Sequence, residues 1–388
     1  MNVEEIQKEL RKQKLDGWLF FDHHQRDSLS YRVLGFTPAR HVTRRWYYLI
    51  PSEGEPAGLV HNVESEMLQA LPGAKTRYSS WQEQIAGVRK LLAGRPRIAM
   101  QYSPQCAIPY VSMVDAGTLE LVRDTGVEVV SSADLVQRFE ARWNEAALES
   151  HLEAGRRVDK ILRQAFEMIG ARVHGGQTVS EYEVQQFIRT EFARAGLFAD
   201  HGPIVGVNAN ASNPHYEPTT DVSAAIRSGD FVLIDLWAKL NQPHSVYYDI
   251  TWTGVCGEAT PEMRNVFAVV REARDRAIER VKRAVAAREE IRGFEVDDAA
   301  RGYIHEKGFG QYFVHRTGHS IGEDVHGTGA NMDNLETHDE RKVIPWTCFS
   351  IEPGVYLPSF GVRSEVNVFV GDNEARVTGE IQKELVTI

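Results

Sequence analysis

Apolar residues recur along this chain in two periods, and the changes of period mark its elements. Before residue 135, short runs rich in branched and aromatic residues at 17–22, 46–50, 97–101 and 127–130 read as strands separated by helical stretches. That alternation predicts an α/β domain. No Gly-rich phosphate-binding turn follows any of these runs, so a dinucleotide site has no support. Between 144 and 169 the period becomes helical, with Leu148, Leu152, Val158, Ile161, Leu162 and Phe166 on one face. This helix is expected to open a second domain, which divides the chain into 1–138 and 139–388.

The second part repeats one order of elements. Ser180 and Glu183 form a capping-box pattern ahead of Val184, Phe187, Ile188 and Phe192, which predicts a shorter amphipathic helix. Two β-like runs follow. The order then restarts at Thr260-Pro261, an N-cap with proline at the first helical position, and Val266, Phe267, Val270, Ala273, Ala277 and Val281 mark a long helix. A shorter helix at 297–307 stops at Gly308, and two more β-like runs complete the round. Long helix, shorter helix, strands, performed twice, predicts a pseudo-twofold α+β domain with its active site between the halves.

The β-like runs carry the candidate chemistry. One pair holds Asp235 and Asp249, the other Glu352 and Glu365, each acid set among branched and aromatic residues. A lone carboxylate in an apolar strand is costly to bury unless it is paired or binds a metal. Between the acid pairs lies the run 314–326, in which glycines flank His319. Four carboxylates and one imidazole suit manganese, cobalt, iron or zinc rather than a sulfur-rich structural zinc site. Two metals sharing bridging carboxylates would use all five ligands and support peptide-bond hydrolysis. No nucleophile-elbow motif suggests a serine mechanism. On the strand after Glu352, Arg363, Glu365 and Asn367 share one face, which places Arg363 either against a substrate carboxylate or against a neighbouring acid. His315, Arg341 and His338 are further candidates for substrate binding.

Bulk composition narrows the class. The 388 residues are 42% hydrophobic and 25% charged, with three widely spaced cysteines and a formal charge of −10. Such a chain is expected to be globular and cytoplasmic, with no disulfide framework, membrane span or nucleic-acid surface.

These residues resemble the pita-bread metallopeptidases, the family of methionine aminopeptidase, aminopeptidase P and prolidase, together with the metal-free creatinase. The resemblance covers most of the chain and implies a creatinase-like N-terminal α/β domain ahead of the catalytic domain. It implies that Asp235 chelates one metal, that Asp249 and Glu365 bridge two, and that His319 and Glu352 complete the second site. It further implies that Glu352 shuttles a proton, and that His215 in Asn213-Pro-His215-Tyr216 and His326 contact the substrate carbonyl or stabilise the tetrahedral intermediate. Cofactors would be two divalent ions, manganese first, with zinc or cobalt as alternatives.

Some positions depart from the family pattern. Fourteen residues separate Asp235 from Asp249 where eleven is common. Trp237 replaces a usual glycine, Trp252 an arginine and Val366 an acid, while Gly327 and Thr328 replace a glutamate and a proline.

The function implied is a prolidase, cleaving Xaa-Pro dipeptides through a metal-bridging hydroxide. The alternatives are an aminopeptidase P acting on longer proline-containing peptides, and a metal-free creatinase-like or binding protein. A homodimer is implied by the resemblance, with the segment around Trp46 and a partner subunit as candidate walls of the site.

Overall fold

Two runs near the amino terminus, Gly17–Asp22 (β1) and Trp46–Pro51 (β2), are buried at every position, as strands covered on both faces must be. The structure is a computed structural model and describes residues 1–37 and 41–388. Contacts divide it into units Met1–Glu140 and Ala141–Ile388. In the first, Ala57–His61 (β3), Ala74–Tyr78 (β4), Arg97–Met100 (β5) and Glu128–Ser131 (β6) extend the sheet in the order β4-β3-β2-β1-β5-β6.

Helices Val3–Lys12 (α1), Ser28–Leu34 (α2), Trp81–Leu92 (α3), Ala116–Arg123 (α4) and Ala133–Val136 (α5) belong to the same unit. Alternation along β1 and β2 assigns their side chains to two cores. Trp18, Phe20, Trp46 and Tyr48 pack with Ile6 and Leu10 of α1 and Leu29 and Val33 of α2. Leu19, Phe21, Tyr47 and Leu49 pack with Val88 and Leu92 of α3 and Leu119 and Val122 of α4. Trp46 itself is core, 1% exposed, with its indole N–H facing Tyr31 Oη at 3.3 Å.

The second unit begins with Glu145–His174 (α6), capped by Asn144, whose Oδ1 accepts from Ala147 N at 2.8 Å. Val179–Ser180 (β7) leads into Glu181–Arg194 (α7), which opens on the Ser180–Glu183 capping box. Leu197–Phe198 (β8), Ile204–Val207 (β9), Ala225–Ile226 (β10), Phe231–Leu240 (β11) and Tyr248–Val255 (β12) follow. The round then repeats with Pro261–Ala287 (α8) and Gly293–Glu306 (α9). Helix α9 starts four residues before the expected Asp297, because a Cβ at Gly293 would fall 2.0 Å from Asn331 O and the tight approach holds the turn there.

Ser320–Ile321 (β13), Thr347–Ile351 (β14), Gly354–Tyr356 (β15), Gly361–Arg363 (β16), Val366–Val370 (β17), Ala375–Val377 (β18) and Val386–Thr387 (β19) finish the chain. Each half-sheet has one face sealed by its helices. Val232, Ile234, Leu236 and Ala238 of β11 and Tyr248 and Ile250 of β12 pack under α6 and α7. Phe349 and Ile351 of β14 and Val366, Val368 and Val370 of β17 pack under α8 and α9. By alternation the other faces carry Asp235, Trp237, Asp249 and Thr251 in one half and Ser350 and Asn367 in the other.

Side-chain amides join the halves. Asn367 Oδ1 accepts from Asp249 N at 3.0 Å while its Nδ2 donates to Asp249 O at 2.5 Å. Gln382 grips Thr253 in the same way, at 3.0 and 2.6 Å.

Candidate metal centre

Antiparallel pairing of β11 and β12 sets Asp235 opposite Thr251 and Trp237 opposite Asp249. The second pair of acids is placed differently from the first. Glu352 follows the last residue of β14, and Glu365 lies in the break between β16 and β17. Glu365 N donates to Thr251 O at 3.1 Å, which ties that break to the first half. Buried Arg274 of α8 supports it from behind, donating to Ser364 Oγ at 2.7 Å.

His319 approaches through a backbone contact that only glycine permits, since a Cβ on Gly318 would lie 1.9 Å from Ser350 O. Ser350 Oγ accepts from His319 N at 2.9 Å and donates to Glu352 Oε1 at 3.0 Å. His319 Nδ1 faces Ser320 O at 3.1 Å, which assigns the proton to Nδ1 and leaves Nε2 as the free lone pair. That Nε2 stands 3.3 Å from Glu352 Oε1 and 3.5 Å from Asp249 Oδ2.

Asp249, His319 and Glu365 each offer a ligand atom within 4.8 Å of the others. Asp249 Oδ1 and Glu365 Oε1 are buried and make no hydrogen bond. Burial, then the neighbouring carboxylates, push the Asp249 and Glu365 carboxyls well above the usual range. Glu352 is raised by burial, with the imidazole of His319 pulling the other way. Buried anions with empty lone pairs, crowded against one neutral imidazole, fit divalent cations. Asp235, Asp249, His319, Glu352 and Glu365 are the residues that would hold them.

Arg363 is 3% exposed. Its guanidinium donates to Asp235, to Thr251 Oγ1 at 3.0 Å and to Tyr356 Oη at 3.0 Å. Of its two expected partners it takes the neighbouring acid, Asp235, in this structure. His315 extends the chain of contacts: its Nε2 meets Tyr356 Oη at 2.7 Å, and burial followed by the charge of Arg363 lowers its pKa to about 3. His315 thus joins the acids through Tyr356 and Arg363.

Arg341 and His338 also lie elsewhere. Arg341 is buried in a two-pronged ion pair with Asp339 and donates to Thr328 O at 2.7 Å. Exposed His338 bonds Asn334 Oδ1 at 2.7 Å and lies against the Phe294 ring. Both expectations are corrected, because each side chain is committed to the folding of the 331–341 loop.

His326 and His215 are exposed. His326 stands edge-on to His319, ring centroids 4.4 Å apart, and its pKa is lowered, first by the neighbouring imidazole of His319 and then by burial. His215 is close enough to act on it as well. The loop bearing His215 is organised by Glu181, a buried acid that the sequence reading does not single out. Its carboxylate accepts from Val207 N at 2.7 Å, Ala224 N at 2.6 Å and Tyr216 Oη at 2.6 Å. Tyr356 and Thr251 were missed too. A polar residue on the same strand face as an acid was the available signal.

The family model for metallopeptidase family M24 matches residues 149–372. The chain belongs to family M24. Among M24 relatives, the Xaa-Pro dipeptidase of Lactobacillus delbrueckii subsp. lactis is 31% identical over 60% of this chain and 58% of its own length, so that match spans less than two thirds of the relative. Dipeptidase PepE from Mycobacterium ulcerans superposes with a TM-score of 0.73 at 22% identity, covering 100% of this chain and 96% of that one. The prolidase from Thermococcus sibiricus gives 0.68 at 25% identity, covering 100% and 98%. These likenesses fit the two-domain pita-bread fold. No helix among the described residues is long and apolar enough to cross a membrane.

Proposed function

We propose that this M24 member is a metal-dependent dipeptidase that hydrolyses the bond before proline in Xaa-Pro dipeptides. The observation that carries the reading is the convergence of Asp249, Glu352 and Glu365 on His319, with Asp249 Oδ1 and Glu365 Oε1 buried and unpartnered. Similarity to the Lactobacillus Xaa-Pro dipeptidase and the Thermococcus prolidase supports the substrate class. A bound divalent pair supplies Lewis acidity toward the substrate carbonyl and lowers the pKa of water. An oxygen-rich set with one imidazole favours manganese, with zinc or cobalt as alternatives.

The chain's own residues do the rest. Glu352 accepts a proton from the attacking water and delivers it to the proline nitrogen, a role that its raised pKa suits. His326 and His215 donate to the carbonyl oxygen as negative charge develops on it. Arg363, fixed by Tyr356 and Thr251, orients Asp235. The free cysteines Cys106, Cys256 and Cys348 support a cytoplasmic location, and the family resemblance supports a homodimer. The domain division near residue 138 belongs to the same reading.

Hydrolysis of a Xaa-Pro dipeptide beside a Xaa-Pro tripeptide with the same first two residues tests the assignment. Faster metal-dependent cleavage of the dipeptide is expected. Preference for the tripeptide would make the chain an aminopeptidase P, and cleavage of neither would favour a binding protein.

A further inference from the structure

Trp237 fills a position beside the metal ligands where the family pattern has glycine, and it brings a second group with it. The indole is 7% exposed, and its N–H donates to Asp200 Oδ1 at 3.1 Å. His201 stacks edge-on against the indole, centroids 4.8 Å apart, and both its backbone N, at 3.0 Å, and its Nδ1, at 2.9 Å, meet the same Oδ1. All three contacts fall on Oδ1, so Oδ2 has no hydrogen bond among the described residues. The Asp200 side chain is 47% exposed. It is an anchored anion with an open oxygen. It acts electrostatically on Asp249, while His201 acts on His326, so the pair stands at the metal centre.

We propose that Asp200 reads a cationic side chain on the residue ahead of the cleaved bond, making Lys-Pro and Arg-Pro favoured substrates. The inference rests on the Xaa-Pro reading and deepens it. Reach selects the side chain over the α-amino group. Trp237 and Asp249 are directly opposed, which puts their Cβ atoms about 5 Å apart. Asp200 meets the indole N–H of Trp237, and its hydrogen bonds among the described residues reach none of the metal ligands. The α-amino group is held two bonds from the attacked carbonyl carbon, too close to the ligands to meet Oδ2. A lysine or arginine stem spans the gap along the apolar ring and carries its charge to the carboxylate. Lys239, the nearby cation of β11, is engaged elsewhere, donating from Nζ to Glu323 O at 2.5 Å.

The test compares kcat/KM for Lys-Pro and for norleucyl-Pro, a neutral analogue with the same carbon stem, in the wild type, Asp200→Asn and Asp200→Lys. A half-exposed ion pair contributes at most about a fivefold preference for Lys-Pro in the wild type. The ratio should fall to about one in Asp200→Asn, and Asp200→Lys should acquire a preference for Glu-Pro over Gln-Pro, a gain that misfolding cannot produce. Equal cleavage of Lys-Pro and norleucyl-Pro by the wild type, or a ratio kept in Asp200→Asn, overturns this proposal alone. Cleavage of neither by the wild type overturns the Xaa-Pro reading and this proposal with it.

Discussion

Asp249 Oδ1 and Glu365 Oε1 are buried oxygens without hydrogen bonds, which is a cost the metal-free chain carries for the sake of its ligand. Glu365→Ala should therefore remove hydrolysis and weaken divalent metal binding in calorimetry, while the urea midpoint of the metal-free protein holds or rises as one crowded anion is deleted. Full activity in that variant would sink the assigned centre. Tyr356→Phe breaks the bridge from His315 to Arg363 and should lower kcat about 10- to 100-fold with secondary structure intact. The four candidate acids stand out in the sequence because a carboxylate amid branched, apolar residues is costly to bury unless it is paired or binds a metal. Two of the contacts of Arg363 were not legible, since Asp235 and Thr251 meet it only through the folding together of segments far apart in the chain, whereas Tyr356 lies on the neighbouring strand of its own hairpin.

At the scale of elements, helix starts were the most legible features. Asn144, Ser180 and Thr260 each cap the helix that follows, because a capping side chain binds only three residues ahead and leaves a local signature. Strands β3 and β4 escaped notice, and β4 shows why: in Ala-Lys-Thr-Arg-Tyr only Tyr78 is buried, so it has no apolar run to read. The amide clamps were invisible for the opposite reason, being wholly long-range. Asn367→Ala removes both hydrogen bonds to Asp249's backbone and should destabilise the second unit by about 1–3 kcal/mol in chemical denaturation. A change within a few tenths would show that strand packing alone joins the halves.

For the molecule as a whole, stability should fall in acid through His151. This fully buried histidine lies between Tyr247 O and Thr378 Oγ1, both at 2.6 Å, and burial lowers its pKa to about 4. An unfolded histidine binds its proton near pH 6.5, so the folded state is favoured above that pH and penalised as pH falls toward 4, by up to about 3 kcal/mol. Denaturation midpoints measured across that window should decline in the wild type and decline less in His151→Gln; equal slopes would contradict the assignment. The doubled order of elements, legible from periodicity, brings an acid-bearing sheet face and the acid-bearing strand ends of the other half together, and function follows only if metal completes them. The decisive measurement titrates chelator-stripped protein with manganese while following both bound metal and Xaa-Pro dipeptide hydrolysis. The account predicts activity that rises with metal and saturates at two ions per chain. Hydrolysis that is indifferent to metal, or none at two bound ions, would contradict it.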